Sequence, residues 1–376
     1  MSFGKQLSRR ELGKAALGGA LGAVASWPRL SFARAADVPP QLSGIHLSCN
    51  APMHPKDEDI LFFKQLGLDT VYARGTKPED QTVEGLRAIK KRYADAGITI
   101  TDVDNPGVNN NLGAVVLNLP GRDKAIEAYK QWIRTLGQGG FQYMEAMMFN
   151  ATASVSDGEA PTRGGTSGRE FDLNSSELSG SPWRVPSRGD VNDLLFGREY
   201  HKDEIWENYT YFIKQIAPVA EEAGVRVTLD NDDPPIPSIF GIPRIMSSFE
   251  DCKRALKIAN SPNVGLCFTA GQWIEGGKQI GTDPVSAAHY FGSQKQIFQV
   301  FLRNPSDTLP RFHETYIDDG VFDMYKIVKA LLDVKYDGVM TLDHWMQMVG
   351  GRRTYEAFGI GYLRALLQRA QAEHHS

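Results

Sequence analysis

The sequence predicts an α/β fold of the (β/α)8 TIM-barrel type, with extended loops after the third and fourth strands. After residue 40, short apolar runs alternate with amphipathic stretches of helical length, a pattern typical of parallel strands joined by right-handed helical crossovers. The apolar runs number eight, which favours a closed barrel over an open doubly wound sheet. No G-x-G-x-x-G motif follows an early strand, so nothing supports a dinucleotide-binding fold.

The predicted strands are short runs rich in Val, Ile, Thr or aromatic residues, bounded by turn-forming or charged residues. They cover residues 45–49, 70–73, 98–103, 143–148, 225–229, 264–268, 297–302 and 338–342. Predicted helices between them include residues 56–65, 83–96, 124–137, 204–223, 248–259 and 324–332. In the segment 204–223 the apolar residues recur at helical spacing and form one face.

We predict one catalytic domain over residues 40–370. Two insertions interrupt the alternation of strands and helices. They are residues 104–121 after the third strand, and residues 151–200, rich in Gly, Ser and Arg, after the fourth. Both follow the carboxyl end of a strand, which is the end where barrel enzymes build their active sites. We therefore interpret the insertions as lids rather than as filler.

Residues 1–35 are predicted to be a twin-arginine signal peptide rather than part of the fold. Residues 8–14 read SRRELGK, a Gly/Ala-rich apolar run follows, and the tripeptide at 33–35, ARA, fits a small-x-small cleavage site. The apolar run is too short and too rich in glycine for a membrane anchor, so no membrane span is expected after cleavage. The expected location is the periplasm.

The charge and the cysteines narrow the classes of partner. The first 35 residues hold six Lys/Arg and one acidic residue, so the remaining chain carries 35 basic and 44 acidic side chains, a net charge of −9. An acidic body argues against nucleic acids and anionic membranes as partners. The three cysteines are far apart in the chain and imply no disulfide framework.

Polar side chains follow four consecutive predicted strands. Asp230 ends the fifth strand, Cys267 ends the sixth, Arg303 follows the seventh, and Asp343 and His344 follow the eighth. In a barrel these positions converge on one pocket. A carboxylate, a thiolate and an imidazole are ligands for a divalent transition metal. Each also has a purely structural alternative, as a turn or helix cap for the aspartates and as a small buried hydrophobe for the cysteine.

Two neighbouring segments leave their roles open. His313 and Glu314, in RFHETYIDDG after the seventh strand, either join the pocket or form a surface turn. In the DNDDPP run that begins at Asp230, the aspartates Asp232 and Asp233 are interpreted as turn formers and as partners of nearby basic groups.

Three segments resemble the mannonate dehydratase family. Residues 216–256 contain the run DDPPIPSIFGIPRI, residues 301–348 contain LRN, FHE and DH in that order, and residues 354–367 read TYEAFGIGYLRALL. The resemblance covers roughly residues 200–370 and is thinner over 40–150. It implies a barrel of the xylose-isomerase-like type that dehydrates D-mannonate to 2-keto-3-deoxy-D-gluconate with Mn²⁺ or Fe²⁺.

The resemblance also implies a metal site, with two departures from the family pattern. Carried over residue by residue, the ligands are Asp230, Cys267 and Asp343, and Asp230 stands where the family has a histidine. Phe301 stands where the family has a further histidine ligand, and phenylalanine ligates no metal. A site with three protein ligands is normal for catalytic metals, whereas loss of the metal is the alternative that fewer ligands imply.

The implied catalytic pair is His344 and Tyr355, one as base and one as acid, in an order that the sequence does not fix. The predicted substrate-binding residues are Arg303, Arg163 and His313. The two arginines are chosen because an arginine can bind a carboxylate with two parallel hydrogen bonds. The predicted function is dehydration of a sugar acid, a small molecule, with a homo-oligomer left open. The alternatives are a metal-dependent sugar isomerase or epimerase, and a non-catalytic sugar-acid-binding barrel.

Overall fold

The structure, a computed structural model, describes residues 44–109, 112–152, 155–180 and 188–374, which fall in one compact unit. The predicted signal peptide lies outside the described residues. The strands are β1 (His46–Ser48), β2 (Asn50–Pro52), β3 (Thr70–Arg74), β4 (Thr99–Val103), β5 (Met147–Met148), β6 (Val155–Ser156), β7 (Gly158–Pro161), β8 (Ser167–Asp172), β9 (Leu178–Gly180), β10 (Arg188–Gly189), β11 (Val227–Asp230), β12 (Ser238–Ile239), β13 (Ile242–Pro243), β14 (Val264–Thr269), β15 (Ile297–Leu302), β16 (Arg311–His313) and β17 (Val339–Leu342).

The helices lie between and after the barrel strands. They are α1 (Asp57–Gln65), α2 (Val83–Ala94), α3 (Pro106–Asn109), α4 (Leu112–Val116), α5 (Arg122–Gly139), α6 (Lys202–Ala223), α7 (Phe249–Ala259), α8 (Ala270–Glu275), α9 (Pro284–Ser293), α10 (Met324–Asp333) and α11 (Arg352–His374). None of these described helices is long and apolar enough to cross a membrane.

The barrel is assembled from two parallel sheets. One has the order β1-β17-β15-β14-β11-β5 and the other β2-β3-β4. Because β1 and β2 are consecutive halves of the first barrel strand, the sheets join into eight parallel strands, and the first strand pairs with the last, His46 opposite Val339. This strand order confirms the predicted (β/α)8 barrel.

The fourth barrel strand is shorter than predicted. Only Met147–Met148 forms a ladder with β11, and Tyr143 makes an isolated parallel bridge to Arg226. Between them the side chain of Glu145 accepts a hydrogen bond from the Tyr72 hydroxyl and another from the backbone N–H of Asn105. The Glu145 side chain thus contacts residues of neighbouring strand segments, and Glu145 itself takes no part in the regular ladder.

The insertion after the fourth strand folds into small sheets over the carboxyl ends of the barrel strands. In its described part, β8 pairs antiparallel with β7 and with β16, the strand that follows the seventh barrel strand. A separate apolar cluster, which includes Phe171 of β8 and Phe312 of β16, lies beneath these sheets. The insertion after the third strand forms α3 and α4, and α4 buries Leu112, Val115 and Val116. The described parts of both insertions are therefore packed structure.

Candidate active site

The predicted strand-end residues meet at one end of the barrel. The hydroxyl of Thr269, at the end of β14, donates to Oδ1 of Asp230 at 2.8 Å. Nε of Arg303, just after β15, lies 3.4 Å from Oδ2 of Asp343, just after β17. Parallel barrel strands bring their carboxyl ends to the same rim, so residues distant in the chain become neighbours here.

Arg303 is the centre of a buried charge network. Its guanidinium is 2.7 Å from Glu275, 2.9 Å from Glu314, 3.5 Å from Asp233 and 3.4 Å from Asp343. Burial alone would lower the pKa of Arg303, but the negative charges of these carboxylates raise it well above its ordinary value. Because protein carboxylates surround it, Arg303 holds the pocket together, and its predicted role in gripping a substrate carboxylate stays a prediction.

A second arginine enters the network from the insertion after the fourth strand. Nη2 of Arg169, on β8, lies 2.8 Å from Asp233 and 2.9 Å from Glu314. The backbone N–H of Glu314 donates to the Arg169 carbonyl at 2.8 Å. A Cβ on the neighbouring Gly168 would lie 2.0 Å from the Glu314 carbonyl oxygen, so this close approach of the two backbones requires glycine. Sequence analysis missed Arg169, because its partners lie far away in the chain.

Glu314 joins the pocket and orients His344. Its Oε1 lies 2.9 Å from Nδ1 of His344, whose Nε2 is 3.9 Å from Oδ2 of Asp343. Burial would raise the pKa of Glu314, but the charges of Arg303 and His344 hold it well below its usual range. Burial would lower the pKa of His344, and the charges of Asp343 and Glu314 raise it. His344 has a positive φ of 34°, an uncommon backbone conformation that is enriched at functional sites.

Tyr355 lies beneath this network on α11. Only 1% of its surface is exposed, and its ring packs 5.9 Å from that of Tyr316. Burial, together with the charges of Glu314 and Asp343, raises the pKa of the Tyr355 hydroxyl, while a backbone hydrogen bond from Ile317 opposes the shift. The phenol is therefore protonated throughout the neutral range.

The other two predicted substrate-binding residues lie apart from the network in their described contacts. Arg163 makes two hydrogen bonds to the carboxylate of Asp318, at 2.9 and 3.1 Å, and stacks over the Tyr316 ring. His313 is bonded through Nδ1 to the hydroxyl of Ser306 at 3.0 Å. Neither contact tests substrate binding, so both roles stay predictions.

Arg74 is a further cation at the same end of the barrel. It ends β3, its guanidinium lies over the Tyr72 ring, and its Nε donates to Asn50 at 2.7 Å. The carboxylates of Glu145 and Asp343 help to raise its pKa above the ordinary value, against burial, which would lower it. Unlike Arg303, Arg74 leaves 44% of its side chain exposed. Sequence analysis missed Arg74, although a basic residue at a strand end was a signal for it.

The predicted metal ligands, as placed, do not fit a divalent ion. Oδ1 of Asp230 already accepts hydrogen bonds from the Thr269 hydroxyl and from the backbone N–H of Asn231. Burial raises the pKa of Asp230 to about 7, with the charge of Asp343 adding to the shift. Burial, and then the charge of Asp230, raises the pKa of Cys267 well above its ordinary value, so the thiol is protonated in the metal-free protein.

Phe301 removes another ligand position from the same place. It packs in a small apolar cluster with Cys267 and Tyr72, and its ring centroid lies 6.0 Å from that of Tyr72. Among the described residues, no group of three or more His, Cys, Asp or Glu side chains is arranged to hold a metal. The choice of Mn²⁺ or Fe²⁺ therefore stays a prediction.

Comparison with known proteins places this barrel among sugar-acid enzymes. A family model for D-mannonate dehydratase (UxuA) matches residues 191–374. A mannonate dehydratase of Streptococcus suis (strain 05ZYH33) is 30% identical over 305 residues, which span 76% of this chain and 79% of that protein. A mannonate dehydratase of Halalkalibacterium halodurans is 29% identical over 300 residues, which span 75% of this chain and 84% of that protein.

Two solved structures resemble this chain in fold. The mannonate dehydratase from Streptococcus suis serotype 2 superposes with a TM-score of 0.74 at 24% identity, over 89% of this chain and 95% of that one. A xylose isomerase domain protein from Planctomyces limnophilus gives a TM-score of 0.57 at 12% identity, over 88% of this chain and all of that one. The predicted xylose-isomerase-like barrel is confirmed.

Proposed function

This chain belongs to the mannonate dehydratase family of hydro-lyases, and from that premise we propose that it removes water from a sugar acid, D-mannonate or a close analogue. The product would be the corresponding 2-keto-3-deoxy acid. The observation that carries the proposal is the pair His344 and Tyr355, which meets a ring of charged groups at the barrel mouth. The partly exposed guanidinium of Arg74 at the same mouth suits an anionic substrate.

The geometry supports His344 as the base. The dehydration begins with loss of the proton on the carbon next to the substrate carboxylate. Nδ1 of His344 is occupied by Glu314 at 2.9 Å, so Nε2, which lies 3.9 Å from Oδ2 of Asp343, is the nitrogen left to take the proton. In its neutral form this nitrogen accepts the proton, while the electrons of the broken C–H bond form the double bond of an enol.

The environment of Tyr355 supports it as the acid. Hydroxide leaves the neighbouring carbon as the C–O bond breaks, and it needs a proton to depart as water. Burial keeps the Tyr355 phenol protonated, so the hydroxyl has a proton to give. The enol then tautomerises to the ketone, and the proton taken by His344 returns through solvent to the phenolate.

The experiment that tests the proposal is a screen of aldonic and uronic acids with the purified mature chain. The expected result is a 2-keto-3-deoxy product from at least one aldonic acid, detected by its carbonyl and by mass loss of one water. Conversion of a sugar to its isomer or epimer with no mass change would instead establish the isomerase alternative. Tight binding of a sugar acid without turnover would establish the non-catalytic alternative.

Glu314→Gln is expected to lower kcat by about tenfold to a hundredfold with little change in KM, because the amide no longer fixes the imidazole with a charge-assisted hydrogen bond. The matched control is Glu170→Gln on β8, where the carboxylate bonds the exposed Arg311 instead. We expect that control to keep parental kcat. Equal kcat values for Glu314→Gln and the parent would remove Glu314 from the catalytic apparatus.

We also propose that the chain is exported by the twin-arginine route and acts in the periplasm. The support is the SRRELGK run and the apolar segment after it, which lie outside the described residues. Cell fractionation measures this directly: the parent is expected in the periplasm, and the double variant Arg9→Lys/Arg10→Lys in the cytoplasm. A parent chain retained in the cytoplasm would refute export.

A further inference from the structure

A cleft lined by cations lies at the end of the barrel opposite the candidate active site. Its volume is about 990 Å³, and its walls include α7 and α9. Val264, the first residue of β14, and Arg226, just before β11, lie at its base. These are amino-terminal strand ends, whereas Asp230 and Asp343 lie at carboxyl-terminal ends. The cleft is therefore a separate place on the molecule.

Five basic side chains line this basic cleft against one carboxylate. They are Arg226, Lys253, Arg254, Lys257 and Lys295, and the carboxylate is Glu250. Glu250 pairs with Lys253 at 2.8 Å. Within the described part of the chain, the other four cations form no ion pair with a carboxylate. Arg226, Arg254 and Lys295 contact rings, a hydroxyl and backbone carbonyls instead. The cleft thus carries an uncompensated positive charge.

Three of those cations are held in place. The guanidinium of Arg254 lies 4.3 Å from the Trp206 ring centroid. Arg226 donates to the Tyr143 hydroxyl at 2.9 Å, and Nζ of Lys295 donates to the Lys335 carbonyl at 3.2 Å. Cations that are already ordered lose less conformational entropy when a ligand binds. These contacts favour a prepared binding surface over freely moving lysine side chains.

The charge of the cleft contrasts with the rest of the protein. Residues 36–376 carry a net charge of −9, yet this concave surface gathers five cations. A cleft lined by one sign of charge focuses the electric field and raises the local concentration of counter-ions. The ligand that this field attracts is an anion.

The uncharged lining suits a carbohydrate. Tyr290 is 38% exposed at the cleft wall, and an exposed aromatic ring packs against the apolar face of a sugar. The side chains of Asn260, Gln294 and Gln296 add amide donors and acceptors for hydroxyl groups. An adjoining cavity of about 240 Å³, whose lining also includes the carboxylate of Asp337, shares Arg226 and Lys295 with the cleft. The combined volume is at the upper end for ligand pockets, which favours an oligomer over a single sugar.

We propose that this basic cleft is a second binding site, for a carboxylated oligosaccharide such as an oligouronide. The existence of an anion site follows from the cleft alone. The choice of a carboxylated sugar rests on the proposed function, because the active site would act on a single sugar acid of the same chemical class. The second site would hold the enzyme on the polymeric material from which such acids are released.

The test is calorimetric titration of the mature chain with an oligouronide of four to six sugars at low salt. The matched ligand is the fully methyl-esterified oligomer, which keeps the sugars and loses the charges. The test variant is Lys257→Glu/Lys295→Glu, and the control is Lys124→Glu/Lys326→Glu, which makes the same charge change at exposed positions of α5 and α10. Turnover of the sugar-acid substrate is measured on every variant.

We expect the oligouronide to bind the parent and the control variant, and its Kd to rise at least about tenfold in the cleft variant. The methyl ester is expected not to bind, and kcat is expected to stay at the parental value in both variants. Binding that survives the cleft substitutions, or no binding by the parent, overturns the proposal. An oligonucleotide of equal charge that binds as tightly overturns the assignment to a sugar. Since binding is read without turnover, a failed activity screen leaves this test intact.

Discussion

His344→Asn is expected to lower kcat about a thousandfold and to leave KM within a few fold, because it removes the nitrogen that takes the substrate proton. Asparagine is the appropriate replacement. Its amide nitrogen occupies the place of Nδ1 and can still donate to Glu314. In the parent protein Oε1 of Glu314 lies 2.9 Å from Nδ1. Asparagine also tolerates the positive φ of 34° at this position better than other residues do.

The control for this prediction is His289→Asn. His289 is an exposed residue of α9, and its Nε2 lies 3.8 Å from Asp333 rather than in the charge network. The control is expected to keep kcat within about threefold of the parent, as is usual for a substitution away from the reacting atoms. Circular dichroism and the thermal midpoint are compared for both variants. A His344→Asn enzyme that retains more than a tenth of the parental kcat would exclude His344 as the base.

The barrel was predictable from the sequence because its signals are local. Each strand is a short apolar run and each helix an amphipathic one, and eight alternations leave few architectures. The strand-end residues Asp230, Arg303 and Asp343 were predictable for the same reason, since a barrel brings its strand ends together. The strand positions do not determine which groups each of these side chains contacts.

The charge network was less predictable because its contacts are not local. Arg169 and Glu314 are separated by 145 residues, and they meet only because β8 pairs with β16. No periodicity marks that pairing, since β8 lies in an insertion rich in Gly, Ser and Arg. Arg303 shows the same limit of sequence analysis. The sequence shows a cation at a strand end, and only the fold shows that four carboxylates surround it.

The roles of His344 and Tyr355 entered through family resemblance alone. Their environments add an assignment that the sequence left open. Burial and neighbouring carboxylates raise the pKa of the Tyr355 phenol, which favours the proton donor, and Glu314 fixes His344 through one nitrogen, which frees the other. The two environments support the order of base and acid that we propose.

Phe301→His is expected to increase the affinity for Mn²⁺ or Co²⁺ at least about tenfold over the parent, because affinity grows with the number of protein ligands. Phe301 contacts Cys267, and in the register of β15 it lies opposite Thr269 on one side and Thr341 on the other. An imidazole there would lie beside the thiol and between the strands that end in Asp230 and Asp343. Cobalt titration measures the change, with a thiolate-to-cobalt charge-transfer band as evidence that Cys267 ligates.

The informative control is the double variant Phe301→His/Cys267→Ser, which is expected to lose the charge-transfer band and most of the gained affinity. Phe301 is only 7% exposed, so a histidine there places a polar group in an apolar cluster and is expected to destabilise the metal-free fold by about 1–3 kcal/mol. Added metal should recover that loss in the single variant, since an ion that binds only the folded state stabilises it. Equal affinity in parent and variant would show that position 301 does not face a metal site.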